Sequence, residues 1–131
     1  MRKVHKAGYI MNDFSLKNIA IDSYDRVTFF NFLACSKFSK NGSSSKPTKS
    51  QPIDTLFASV NLMELKTTSR RDDLQQICYL LLYLINGRIL PGIDISNLPD
   101  NKKFIQLLQF KKLKTFKNML NSVNTPIIRK S

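Results

Sequence analysis

A mainly α-helical domain with a small β-hairpin is the fold class this sequence predicts, on three observations. The apolar run Ile77-Cys78-Tyr79-Leu80-Leu81-Leu82-Tyr83-Leu84-Ile85 follows Ser69-Arg70-Arg71-Asp72, a hydroxyl with a carboxylate three residues on, as in a capping box. Two short runs rich in β-branched and aromatic residues, Ile19-Ala20-Ile21 and Val27-Thr28-Phe29-Phe30, flank the turn residues Asp22-Ser23-Tyr24-Asp25. A Lys/Leu/Phe-rich stretch from Lys102 to Leu120 has helical periodicity.

In chain order, Arg2 to Ala7 reads as the end of a helix stopped by Gly8. The hairpin over Ile19–Phe30 comes next. From Ser36 to Pro52 the chain turns to Ser, Gly and Pro interleaved with Lys37, Lys40, Lys46 and Lys49, the composition of a mobile basic loop. A helix from Ser69 to Asn86 follows, with Asp72 and Asp73 at the positive end of its dipole and Gly87 as its stop. Being apolar all round, it is predicted to be buried on nearly every side. Pro91-Gly92 breaks the chain. The last helical region is interrupted near Lys111-Lys112, with Leu113, Phe116 and Leu120 on one face and Lys111, Lys114 and Lys117 outside it. The segments are residues 1–35, 36–57 and 58–131.

Composition narrows the function classes. A hydrophobic fraction of 42% and an aromatic fraction of 10% are globular values. Lys+Arg 21 against Asp+Glu 9 gives a net charge of +12, which attracts polyanions weakly and keeps a domain soluble. Cys35, Cys78 and the sole histidine, His5, have no metal-ligand spacing. His5 has no partner in a recognisable motif and is assigned no catalysis. The charged start Met1-Arg2-Lys3-Val4-His5 is no secretory signal, and two isolated cysteines suit a reducing compartment, cytoplasm or nucleus. The longest apolar run, Ile77 to Ile85, falls short of the roughly 20 residues of a membrane span.

Two motifs carry chemistry. Tyr9-Ile10-Met11-Asn12-Asp13-Phe14-Ser15-Leu16-Lys17-Asn18 has the Asp-to-Asn spacing of a protein-kinase catalytic loop, between a helix end and a short hairpin. Phe57-Ala58-Ser59-Val60-Asn61, then Ser69-Arg70-Arg71-Asp72-Asp73-Leu74, resembles the casein kinase I group, which carries Ser-Ile-Asn and then Ser-Arg-Arg-Asp-Asp-Leu at the same separation. Tyr79 to Tyr83 and Gly87 to Pro91 continue the likeness. Vaccinia-related kinases share much of the pattern, with Gly where Asp72 stands. The resemblance implies a partial protein-kinase-like C-terminal lobe in which Asp13 is the base-equivalent and Asn18 and Asn31 are metal-ligand equivalents. It makes Asp73 the carboxylate that hydrogen-bonds the backbone around Met11–Asp13, with Ser69, Arg70 and Arg71 as structural residues. In the resembled family the cofactors are ATP and Mg2+.

The departures from that pattern bear on activity. Met11-Asn12 stands where the family has His-Arg, and Ser15 where it has the lysine near the transferred phosphate. Asn31-Phe32-Leu33 matches the metal-binding Asp-Phe-Gly, and a neutral amide oxygen is a poor exchange for a carboxylate on magnesium. The family's Gly-rich loop and lysine strand would lie before Met1. No cofactor is therefore expected for this chain. The readings left open are a kinase-derived remnant or pseudokinase that binds another protein, and an active Ser/Thr kinase completed by a second lobe in trans. A small basic nucleic-acid-binding protein is also open, on the charge alone. Phe29, Phe30 and Phe32 read as core rather than as a base-stacking platform. The resemblance places the face around them beneath a second lobe, so a protein partner over this face is the implied interaction.

Overall fold

A computed structural model describes residues 1–30, 32, 34–38 and 55–123 of the chain. It is mainly helical with two small antiparallel sheets. The chain forms two compact units, Met1–Gln76 and Ile77–Ser131.

In the first unit, α1 (Arg2–Lys6) ends at Gly8, whose φ of +90° reverses the chain in a conformation that a Cβ would resist. Next, β1 (Tyr9–Ile10) pairs antiparallel with β4 (Ser36–Lys37), Tyr9 facing Lys37 and Ile10 facing Ser36. A 3-10 turn, Leu16–Asn18, leads into the predicted hairpin of β2 (Ile19–Ile21) and β3 (Val27–Phe29), in the register Ile19↔Phe29 and Ile21↔Val27. The turn works as its residue types require. Asp22 accepts the N–H groups of Tyr24 and Arg26, and Asp25 takes a left-handed φ of 59°. A short helix, α2 (Val60–Met63), is capped by Ser59, whose hydroxyl accepts Leu62 N–H. Ile10, Met11, Phe14, Phe57, Ala58, Leu62 and Met63 are buried, and Phe14 meets Phe29 edge-on at 5.7 Å.

Helix α3 (Arg70–Ile85) has the predicted bounds. Its capping box is half formed. The Asp72 carboxylate accepts Ser69 N–H at 2.8 Å, but the Ser69 hydroxyl also donates to that carboxylate instead of accepting a backbone N–H. At the other end Gly87 has φ +73° and Arg88 N–H bonds Tyr83 C=O, the Schellman closure.

The prediction that α3 is buried on nearly every side does not hold. Asp72, Asp73, Gln76, Tyr79 and Leu82 are buried, while Leu74, Cys78, Leu81, Leu84 and Ile85 are exposed. Its hidden stripe is half polar, so the apolar residues left over face outward.

In the second unit, α4 (Asp100–Leu113) and α5 (Phe116–Asn121) are separated at Lys114-Thr115, a few residues beyond the predicted break. Lys114 is extended, and Thr115 caps α5 by accepting Asn118 N–H. That break resets the helical phase, so the predicted common face of Leu113, Phe116 and Leu120 is lost. Leu113 is 79% exposed and Leu120 43%, while Leu107, Phe110, Met119 and Val123 are buried. Lys111, predicted outside, is buried, with its ammonium 4.6 Å from the Tyr79 ring centroid.

Leu82→Ala is expected to cost about 2–5 kcal/mol of unfolding free energy, and Leu81→Ala under about 1 kcal/mol, because only the first empties a packed position. Urea denaturation of both variants checks the orientation of α3.

Candidate functional site

The segment from Met11 to Asn18 is built around two carboxylates. Asn12 has φ 66°, a costly conformation for a residue with a Cβ, and Asp13 N–H bonds back to Met11 C=O at 2.8 Å across it. Three sets of bonds hold this tight turn. Buried Asp73, from the first turn of α3, accepts Met11 N–H at 2.7 Å on Oδ2 and Asn12 N–H at 2.9 Å on Oδ1. His5 Nε2, from α1, lies 2.8 Å from Asp73 Oδ2 and bonds it as an N–H donor. The Asn12 side chain donates to Ala34 C=O and Ser36 Oγ and accepts from the Thr68 hydroxyl at 2.8 Å. Residues from four parts of the first unit are thereby tied to one turn.

Asp13, the predicted base-equivalent, faces inward on its own loop. Its Oδ1 accepts both the N–H and the hydroxyl of Ser15, and its Oδ2 accepts the Asn18 side-chain amide at 3.0 Å. Three donors fill most of the roughly four lone-pair positions that a carboxylate offers. Asn18 spends its amide on that bond, and both Ser15 and Asn18 are buried. The second predicted metal-ligand equivalent, Asn31, lies outside the described residues, as does Leu33. So does most of the Ser36–Pro52 segment, whose first residues are in β4 rather than in a loop. Among the described residues no group of three or more His, Cys, Asp or Glu side chains could hold a metal ion.

The remaining predicted residues divide. Ser69 belongs to the half-formed capping box. Arg70 stacks over the Phe38 ring at 4.8 Å, and Arg71 is exposed. Phe30 and Phe32 are not core, being 61% and 52% exposed, while Phe29 is half-buried. Ile21 and Val27, paired across the hairpin, are exposed as well.

Sequence reasoning missed His5. It stands 68 positions from Asp73, and no local pattern joins a helix-end histidine to a helix-start aspartate. It also left Asn12 without a role.

Two groups at this site have shifted acidities. Burial, the largest influence, raises the Asp73 carboxyl above its ordinary 3.8, against the lowering effect of the Met11 and Asn12 N–H groups and His5. Cys35, with Sγ 3.7 Å from both Met11 C=O and Met11 Sδ, is pushed up to about 11 by burial and by the charges of Asp73 and Asp13. Its thiol therefore stays protonated at neutral pH and is a poor nucleophile.

No protein-family model matches the chain, and no curated protein is similar to it at a significant level.

Asp73→Ala is expected to cost about 3 kcal/mol or more, because it leaves the buried Met11 and Asn12 N–H groups without an acceptor. Asp73 also makes a pH signature. Its folded value is above its unfolded 3.8, so the folded chain holds this proton more tightly. Its contribution to stability falls as pH rises from the unfolded value to the folded one. Asp73→Asn is expected to remove that acid-side slope in urea unfolding measured across the window. An unchanged slope would assign the linkage to another group.

Proposed function

We propose that this chain is a catalytically inactive, casein kinase I-like kinase lobe that serves as a protein-binding module. The observation that carries the reading is the Asp73 carboxylate gripping the Met11 and Asn12 N–H groups while Asp13 and Asn18 are bonded to each other. This is the arrangement that the catalytic-loop and Ser-Arg-Arg-Asp-Asp-Leu motifs imply when taken together. The loop keeps its shape without the chemistry. Phosphoryl transfer depends on positioned positive charge and on metal ions at the moving phosphate. Ser15 puts a hydroxyl where the resembled family has the lysine, and that hydroxyl is bonded to Asp13. Asn12, where the family has arginine, makes neutral bonds to Ala34, Ser36 and Thr68. A loop locked in this way has little left with which to respond to a substrate.

Binding of protein follows from the hairpin. Ile21, Val27, Phe30 and Phe32 are each more than half exposed, and large apolar side chains left in water together are a feature of protein-interaction surfaces. The resemblance supplies the same expectation, since in that family a second lobe lies over this face.

The full chain is expected to show no rise in melting temperature with MgATP and no transfer of labelled phosphate to casein. Saturable stabilisation that scales with nucleotide concentration would overturn the inactive reading. Phe30→Ser with Phe32→Ser is expected to leave the melting temperature within a few degrees and to reduce self-association in sedimentation. If neither association nor binding to other proteins changes, the hairpin is not the docking face.

A further inference from the structure

The charge of this protein is unevenly placed. From Asn101 to Val123 the chain contains no aspartate or glutamate, yet Lys102, Lys114 and Lys117 there are all exposed. The same corner presents apolar side chains to water. Leu113, the last residue of α4, is 79% exposed and adjoins Lys114. Ile105 is 54% exposed and Leu120 43%. On α4, Lys102, Ile105 and Leu113 are spaced to share one face, opposite the buried Leu107, Phe110 and Lys111. The nearest acid in the sequence, Asp100, sits at the far end of α4, about 20 Å away along the helix from Leu113.

We propose that the α4–α5 corner is a docking surface for an anionic membrane. The lysines would meet lipid phosphates and carboxylates, while Leu113, helped by Ile105 on the same face of α4, would enter the boundary between headgroups and acyl chains. Basic residues on a helix with protruding aliphatic side chains have the chemistry of interfacial attachment. Spanning is not involved: no helix of the described residues is long and apolar enough to cross a membrane. A nucleic acid would answer to the charge but not to the rest of the surface. Single-stranded binding uses exposed aromatic rings. At this corner Phe110 is buried and Phe104 and Phe116 are half-buried.

The test is cosedimentation of the full chain with vesicles of pure phosphatidylcholine and with vesicles equimolar in phosphatidylcholine and phosphatidylserine. Binding is expected to the anionic vesicles, to weaken with salt, and to be negligible on the neutral ones. Each lysine is worth about fivefold in partitioning, so Lys114→Glu with Lys117→Glu is expected to abolish binding. Leu113→Ser, at an exposed position, is expected to keep the wild-type melting curve and to lower partitioning roughly tenfold. Equal binding to both vesicle types, or no binding to either, would overturn the proposal. So would an unchanged Leu113→Ser together with full competition by an oligonucleotide, since the corner would then be a simple polyanion site.

Discussion

One carboxylate organises the first unit. Asp73 sits fully buried at the start of α3, a place where an unpaired charge would be very costly. It is tolerable because two backbone N–H groups and one imidazole are directed at it, at 2.7, 2.9 and 2.8 Å. The dependence runs both ways. The turn at Asn12 needs a positive φ in a residue with a side chain, and such a turn persists only where its surroundings over-determine it. Asp73 fixes the turn from beneath, and the Asn12 side chain fixes it from above by reaching Ala34, Ser36 and Thr68. The pairing of β1 with β4 follows, because Ser36 is both a β4 residue and a partner of Asn12.

Asparagine at position 12 limits what this turn can do. It has a short arm and a neutral amide, and here its oxygen and its nitrogen are both engaged. The contact it makes is therefore a fixed one. Ser15 acts in the same sense: its hydroxyl turns back onto Asp13 at 2.7 Å instead of projecting a charge outward.

The sequence made some of this legible and hid the rest, for physical reasons. Local signals read well. Gly8 and Gly87 sit at left-handed stops, Asp22 and Asp25 form the hairpin turn, and Ser69 to Asn86 encloses α3. Each of these depends on a few neighbouring residues. The His5–Asp73 bond was hidden because it joins positions far apart in the chain, and β4 because two residues make no pattern. Hydrophobicity alone misplaces α3, because it does not decide by itself what faces inward. Asp72, Asp73 and Gln76 take inward positions, Asp73 with the Met11–Asn12 turn bonded to it, and leucines point out. The α4–α5 error has another source. A periodicity read straight through Lys114-Thr115 assumes one continuous helix, and these two extended residues rotate everything after them.

This distribution of polar inside and apolar outside has an energetic consequence. Each large side chain left in water forfeits roughly 1.5–3 kcal/mol of burial, and Leu74, Leu81, Leu84 and Ile85 are all exposed on a single helix. Set against the 5–15 kcal/mol typical of a domain, such a fold cannot rest on its apolar core alone. The buried Asp72 Oδ1 and Gln76 Nε2, which have no hydrogen-bond partner among the described residues, add cost to the same helix. Much of the cohesion around the start of α3 must therefore come from the directed bonds of Asp73 and Asn12. Directed networks are cooperative, and losing one member strands the others. Damage at Asp73 should therefore release the Met11–Asn12 turn as a unit, whereas the same volume removed from the outer face of α3 should go almost unnoticed.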